Sequence, residues 1–224
     1  MTQVHTSSKR YSAFPSLIRV AGTVIALLLL LLFFIGIGRG LMAKVQVFLV
    51  RQEFQSIELA TVSYMDRYGR FPGDDGPTEV LRGRGEKWRG INGGDGNRRL
   101  NIYTSLFAGK GETGLFWQHL RAAGLLDGDA QLVGVMALPR TTFGGVLAVS
   151  DANILNAMRG HKLCMTGLGG ATAASLDSLY DDGRGATGRV RSSSSAIQEL
   201  SYVLRADEVY SNDRVYTVCY ALNN

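Results

Sequence analysis

No charged residue interrupts the chain between Arg19 and Arg39, and the stretch Val20 to Gly38 carries six leucines in succession, Leu27 to Leu32, followed by Phe33 and Phe34. At ~1.5 Å of helical rise per residue such a run covers close to 30 Å, the thickness of a bilayer's hydrocarbon core. A central leucine favours insertion by roughly 0.5 kcal/mol and a central charge opposes it by about 2.5 to 3.5 kcal/mol, so the run predicts a transmembrane anchor. Val20, Leu27, Leu32, Phe33 and Gly38 mark its extent. A buried core helix and a cleaved secretory signal compete with that reading. Against the signal, the run is longer than an ordinary signal's apolar region, and Leu41-Met42-Ala43 lacks the small residue expected three positions before a cut.

Charge has to be located before it is interpreted. The formal balance is +5, and Lys9, Arg10, Arg19, Arg39 and Lys44 account for it, because the first 44 residues hold no acid. The remainder carries 19 bases against 19 acids. The excess therefore flanks the apolar run and does not form a surface for phosphates. Lys9, Arg10 and Arg19 before the run place a short tail, residues 1–18, on the cytoplasmic side, and the bulk of the chain is exported. Cys164 and Cys219 are then an even pair in an oxidising compartment, and a disulfide between them is expected. Two buried thiols are the alternative; no Cys-x-x-Cys spacing supports a metal or redox site.

Beyond the anchor no Gly or Pro interrupts Leu41 to Arg67, so one helix over residues 19–68 is predicted, half in lipid and half supporting a head formed by residues 69–224. Val50, Phe54, Ile57, Thr61, Tyr64 and Tyr68 recur at steps of four and three and share one face, which has to pack on something. Gly36, Gly38 and Gly40 mark either a weak point or a close helix contact. Gly69 caps the helix, and Phe71-Pro-Gly-Asp-Asp-Gly-Pro77 cannot continue it. Residues 73–111 read as a long irregular connection, and Gly114 to Leu126 as a helix. Strands are expected at Leu132 to Leu138, Val146 to Val149, Lys162 to Met165, Arg189 to Arg191 and Val215 to Leu222, with helices at Asp151 to Met158 and Ala171 to Leu179. The fold class is α+β: a long N-terminal helix packed on a small antiparallel sheet.

That architecture resembles the type IV pilins and type II secretion pseudopilins, and short motifs sharpen the resemblance. Tyr64-Met-Asp-Arg-Tyr-Gly-Arg-Phe-Pro-Gly-Asp-Asp75 is similar to the end of the first helix in pilin-like proteins. Gly94-Asp-Gly-Asn97, Phe116-Trp-Gln-His-Leu120 with Ala123-Gly-Leu125, and Asp177 with Asp181-Asp-Gly183 and Thr187-Gly188 are similar to one prepilin-like subgroup, whose paired cysteines Cys164 and Cys219 match. The departure is N-terminal. Ala13-Phe-Pro-Ser-Leu-Ile-Arg19 stands where the family carries Gly-Phe-Thr-Leu-Ile-Glu for its peptidase, so glycine is missing, proline intrudes and arginine replaces glutamate. The resemblance implies an unprocessed minor pilin or pseudopilin in an inner membrane, single-pass, its head periplasmic or on a filament. Its partners would be other pilin-like subunits and an inner-membrane assembly platform. An anchored adhesive or DNA-binding module that joins no filament is the alternative.

No motif points to an enzyme or a cofactor. Gly167-Leu-Gly-Gly-Ala171 precedes a helix but lacks the dinucleotide fingerprint, and Gly109-Lys-Gly-Glu-Thr113 lacks P-loop spacing. The acidic groups Asp74-Asp75, Asp95 with Asn97, and Asp181-Asp182 lack the EF-hand order and read as Asx-turns and solvated loops. Asp177, Asp181 and Asp182 are the alternative, as a calcium site. His5 lies across the predicted membrane from His119 and His161, and His119 reads as a packed core histidine. Arg82, Arg84, Lys87, Arg89, Arg98 and Arg99 around Trp88 form the single basic patch, diluted by Glu79, Glu86 and Asp95, and read as a solvated loop before a DNA surface.

Overall fold

The computed structural model describes residues 14–101, 105–194 and 205–222, and side chains within them except at 14–18, 37–40 and 43. The expected tail, with His5, Lys9 and Arg10, lies largely outside these residues. The chain divides into two compact units, Met1–Ala43 and Lys44–Asn224.

Helix α1 (Phe14–Tyr68) begins earlier than the sequence predicts. Pro15 explains why that is possible: in the first turn its missing N–H has no intrahelical partner to lose, and its fixed φ suits a helix. The helix runs through Gly36, Gly38 and Gly40. In the first unit, Arg19–Gly36 is long and apolar enough to cross a membrane, and none of it is buried. In the second unit the predicted face holds: Val50, Phe54, Ile57, Thr61 and Tyr64 are buried, with Ala60 beside them and Tyr68 half-buried. Each large apolar side chain fully buried there contributes roughly 1.5 to 3 kcal/mol.

After α1 come a short helix α2 (Thr78–Arg82), 3₁₀ turns at Glu86–Trp88 and Leu106–Ala108, and helix α3 (Glu112–Ala122). The long connection is irregular but not loose, because Leu81, Trp88, Ile91 and Leu100 pin it to the core. Strands β1 (Leu147–Ser150), β2 (Lys162–Gly169), β3 (Val190–Ser193) and β4 (Val215–Ala221) form one antiparallel sheet in the order β1-β2-β4-β3, and helix α4 (Gly170–Tyr180) follows β2. Along β2 and β4, Leu163 pairs with Tyr220, Cys164 with Cys219 and Met165 with Val218. Side chains alternate across a strand, so Leu163, Met165, Val218 and Tyr220 share one face. Tyr220 stacks on Phe54 of α1 with ring centroids 5.8 Å apart, which makes the second part of α1 the cover of that face.

The opposite face is covered by residues 151–160, and the helix expected at Asp151 to Met158 does not form. Leu155, Asn156 and Ala157 all adopt left-handed φ values, 52°, 58° and 61°, which a right-handed helix excludes. Donors from β2 and β3 hold this strap. Arg191 Nη1 donates to the carbonyls of Leu155 and Asn156, at 2.9 Å each, and Lys162 Nζ to those of Ala152 and Gly160, at 2.7 Å each. The strand expected at Leu132 to Leu138 is likewise replaced by a 3₁₀ turn, Gly134–Met136. Gly134 sits at φ +60°, outside the strand region, and its carbonyl presses so closely on Gly109 that a Cβ there would overlap it.

Candidate functional site

A cluster of polar side chains lies where α1 ends. Gly69, at φ +66°, caps the helix by donating its N–H to Met65 O at 2.7 Å. The Gly73-Asp-Asp-Gly76 turn then packs backbone to backbone against Gly93-Gly-Asp-Gly96. Gly94 N–H donates to Asp75 O at 2.7 Å and Gly96 N–H to Asp74 O at 3.1 Å. A Cβ at Gly76 would stand 2.6 Å from Gly94 O, and one at Gly94 would overlap Gly73 O. The two glycine-aspartate motifs are therefore one packed unit, a relation that neither motif reveals alone.

Asp74 and Asp75 are buried, 3% and 1% exposed, which corrects the expectation of solvated acids. Asp75 Oδ2 accepts from Tyr64 OH at 2.7 Å and from Arg84 Nη1 at 2.6 Å. The Arg84 guanidinium lies 4.1 Å from the Tyr68 ring centre and 5.0 Å from that of Trp88. Burial, then Asp75, push the Tyr64 phenol far above its ordinary range. Burial opposes the charge of Arg84, but the hydrogen bond and charge of Asp75 outweigh it and raise its pKa. His119 completes the cluster, stacked on Tyr64 at 6.1 Å. Gly73 N–H donates to its Nδ1 at 2.9 Å, so the ring proton sits on Nε2, 2.8 Å from Asn92 O. Burial lowers its pKa to about 4. Both ring nitrogens are thus committed to backbone, and the imidazole is a structural element with no idle base to offer a reaction.

Among the described residues two groups of carboxylates gather oxygens within 4.8 Å of one another: Asp74 with Asp95 and Glu112, and the sequence-predicted Asp177, Asp181 and Asp182. In each, loop groups already bond the acids. Asp74 accepts from the N–H groups of Asn97 and Arg98, and Glu112 from those of Asp95 and Asn101. Asp177 accepts from Gly183 N–H and Tyr210 OH, Asp182 from Arg184 N–H and Thr187 Oγ1, and Asp181 from Arg189 N–H and Val190 N–H. Burial raises the pKa values of Asp74, Glu112 and Asp177. Loop amides and hydroxyls, with Asx-turns at Asp95 and Asp182 alone, thus account for the bonding of both groups, and the oxygens stand close enough to share a hard cation.

Three of the six cations in the basic patch pair with acids. Arg84 is drawn inward to Asp75, Arg89 pairs with Glu86 at 3.0 Å and Arg99 with Asp151 at 3.1 Å. Trp88 is 3% exposed and offers no ring for a base to stack on. Where the glycine run enters α4, Ser211 O meets the position of a Cβ at Gly170, so backbone packing requires glycine there.

Cys164 and Cys219, directly opposed on β2 and β4, form a disulfide. Val20, Leu27, Leu32 and Phe33 are exposed along α1, and Gly38 falls within it. One N-terminal apolar helix, a membrane span or a signal, together with this disulfide, indicates a secreted or membrane-anchored extracytoplasmic protein. Sequence reasoning missed the Tyr64–Asp75–Arg84 triad; the one available signal was the excess of aromatics around two adjacent acids at a helix end. No family model matches the chain, and neither a curated protein nor a solved structure matches it.

Proposed function

We propose that the chain is a membrane-anchored, pilin-like structural subunit, a minor pilin or pseudopilin of a type IV pilus or type II secretion machine. Its N-terminus would be cytoplasmic and its head periplasmic or on a filament. The observation that carries this reading is a second apolar stripe on the supporting part of α1. Val45, Phe48, Leu59 and Val62 are exposed, Phe48 by 58% and Leu59 by 67%. With Gln52 and Gln55 they continue steps of three and four along one side, away from the buried face. A helix whose inner face is already packed and whose outer face repeats at this spacing suits another helix of the same kind. The neighbour in this reading is the α1-type helix of a like subunit, and lipid contacts around the anchor are exchanged for protein ones on assembly.

The test is site-specific photo-crosslinking from position 48 or 59 in native membranes. Adducts to a second copy or to another pilin-like chain are expected, and the reading fails if both positions label lipid or nothing. Arg19 favours the second reading, an anchored binding module that never enters a filament, because a cation at the start of the apolar run opposes burial among helices. Intact mass of protein from membranes and from sheared filaments separates the two. A species cut between Ala13 and Ser16 in filaments supports the subunit, and an uncut chain found in membranes alone supports the module.

A further inference from the structure

Beside the end of α1 a cavity of about 620 Å³ opens, with Arg70, Phe71, Asp74, Arg98, His161 and Met65 among its walls. That volume lies in the range of small-ligand sites, and its walls combine what such sites combine, flat apolar surface and a few converging polar groups. Phe71 and His161 stack in parallel with ring centres 4.0 Å apart and make one aromatic wall. Arg70 and Arg98 are exposed, and among the described residues neither is in a salt bridge, whereas Arg84, Arg89 and Arg99 all are. Both line the cavity, and a Cβ placed at Gly96 would meet Arg70 Nη1 at 3.6 Å, so Arg70 reaches over the loop that presents Arg98. Arg98 itself is held at φ +66°, a conformation rare for a residue with a side chain. Buried Asp74 fixes it there by accepting its N–H at 2.7 Å.

We propose that this cavity binds an aromatic carboxylate, free or at the C-terminus of a peptide, with the carboxylate between Arg70 and Arg98 and the flat group against Phe71 and His161. Guanidinium groups suit a carboxylate because their forked donors match its two oxygens. Asp74 also belongs to the group with Asp95 and Glu112, and this negative background opposes a dianionic phosphate more than a monoanionic carboxylate. The site lies wholly in the second unit and does not depend on whether the chain enters a filament.

Full-length protein in nanodiscs is titrated with N-acetyl-phenylalanine and with a pentapeptide ending in phenylalanine, against empty nanodiscs. Saturable binding of either is expected, and the tighter of the two identifies the source of the carboxylate. Arg98→Gly is the informative variant, because glycine accepts the left-handed backbone and the fold is retained while the guanidinium is removed. It and Arg70→Gln should each weaken binding by about tenfold or more without lowering the melting temperature. The proposal is overturned if neither ligand saturates, if N-acetyl-phenylalaninamide binds as well as the acid, or if both variants keep their affinity.

Discussion

The sheet and the turn after α1 are closed by opposite means. On the sheet, Cys164 and Cys219 join residues 55 apart in sequence by a covalent bond between opposed positions of β2 and β4. At the turn, Asp75 gathers Tyr64 and Arg84, only 11 and 9 residues away, with no covalent bond. The first tie acts mainly on the unfolded chain, whose freedom it removes; the second acts on the folded one, by satisfying charges that burial would otherwise penalise. A long-range contact is expensive in chain entropy, and a disulfide suits it. A local contact has little such cost, and there side-chain chemistry suffices.

The largest expected effect comes from opening the covalent tie. Closing a loop of this size is worth about 4 kcal/mol in the chain-entropy model, so Cys219→Ser, or reduction of the intact protein, should lower the melting temperature sharply. Hydrogen exchange should show β2 and β4 losing protection before the turn around Asp75. Simultaneous loss in both regions would mean that the two ties are not separate. Asp75→Ala comes next. It leaves Arg84 largely buried without its counter-charge and Tyr64 without its acceptor, a change expected to cost about 3 kcal/mol in denaturant unfolding. A loss as small as that of a surface ion pair would show that the Tyr68 and Trp88 rings hold Arg84 by themselves.

Acid should open the turn before the sheet. His119 has its folded pKa lowered from 6.5 to about 4 by burial, so the unfolded chain binds the proton more readily than the folded one. Its stabilising contribution is full above pH 6.5 and is lost as pH falls toward 4. Asp74 and Glu112, raised by burial, titrate in the opposing sense and reduce the net loss. The protonation site is Nδ1, which must give up the Gly73 amide, so His119→Gln should flatten the stability profile between pH 4 and 6.5. An unchanged slope would assign acid sensitivity to other groups.

These two regions also differ in how much the sequence discloses. The inner face of α1 is legible because Val50, Phe54, Ile57 and Tyr64 repeat at helical spacing and a repeat needs no partner to be read. Strands β1 to β4 are legible for a similar reason, as short apolar or β-branched runs between turn residues, and the cysteines are legible as a pair. What fails is whatever a distant partner decides. Asp151 to Met158 looks helical until Arg191 and Lys162 take its carbonyls, and Leu132 to Leu138 looks extended until Gly134 meets Gly109. The candidate site fails in the same way. Arg84 counts as one of a row of loop cations, and its capture by Asp75 follows no period that a sequence displays.

The smallest effect sharpens the comparison by holding chemistry constant and changing only the surroundings. Arg89 and Glu86 form a pair at 3.0 Å, close to the 2.6 Å of Arg84 and Asp75, in the same stretch of chain. Both partners of the first pair are 75% exposed, whereas Arg84 is 18% and Asp75 1% exposed. Water screens an exposed pair and solvates either partner left alone, so Glu86→Ala should change unfolding by less than about 0.5 kcal/mol, and raised salt should erase even that. Asp75→Ala should by contrast respond little to salt, because its partners are out of reach of mobile ions. If the two substitutions cost the same, the strength of the turn cannot come from burial, and packing of the glycine-rich backbones would have to supply it.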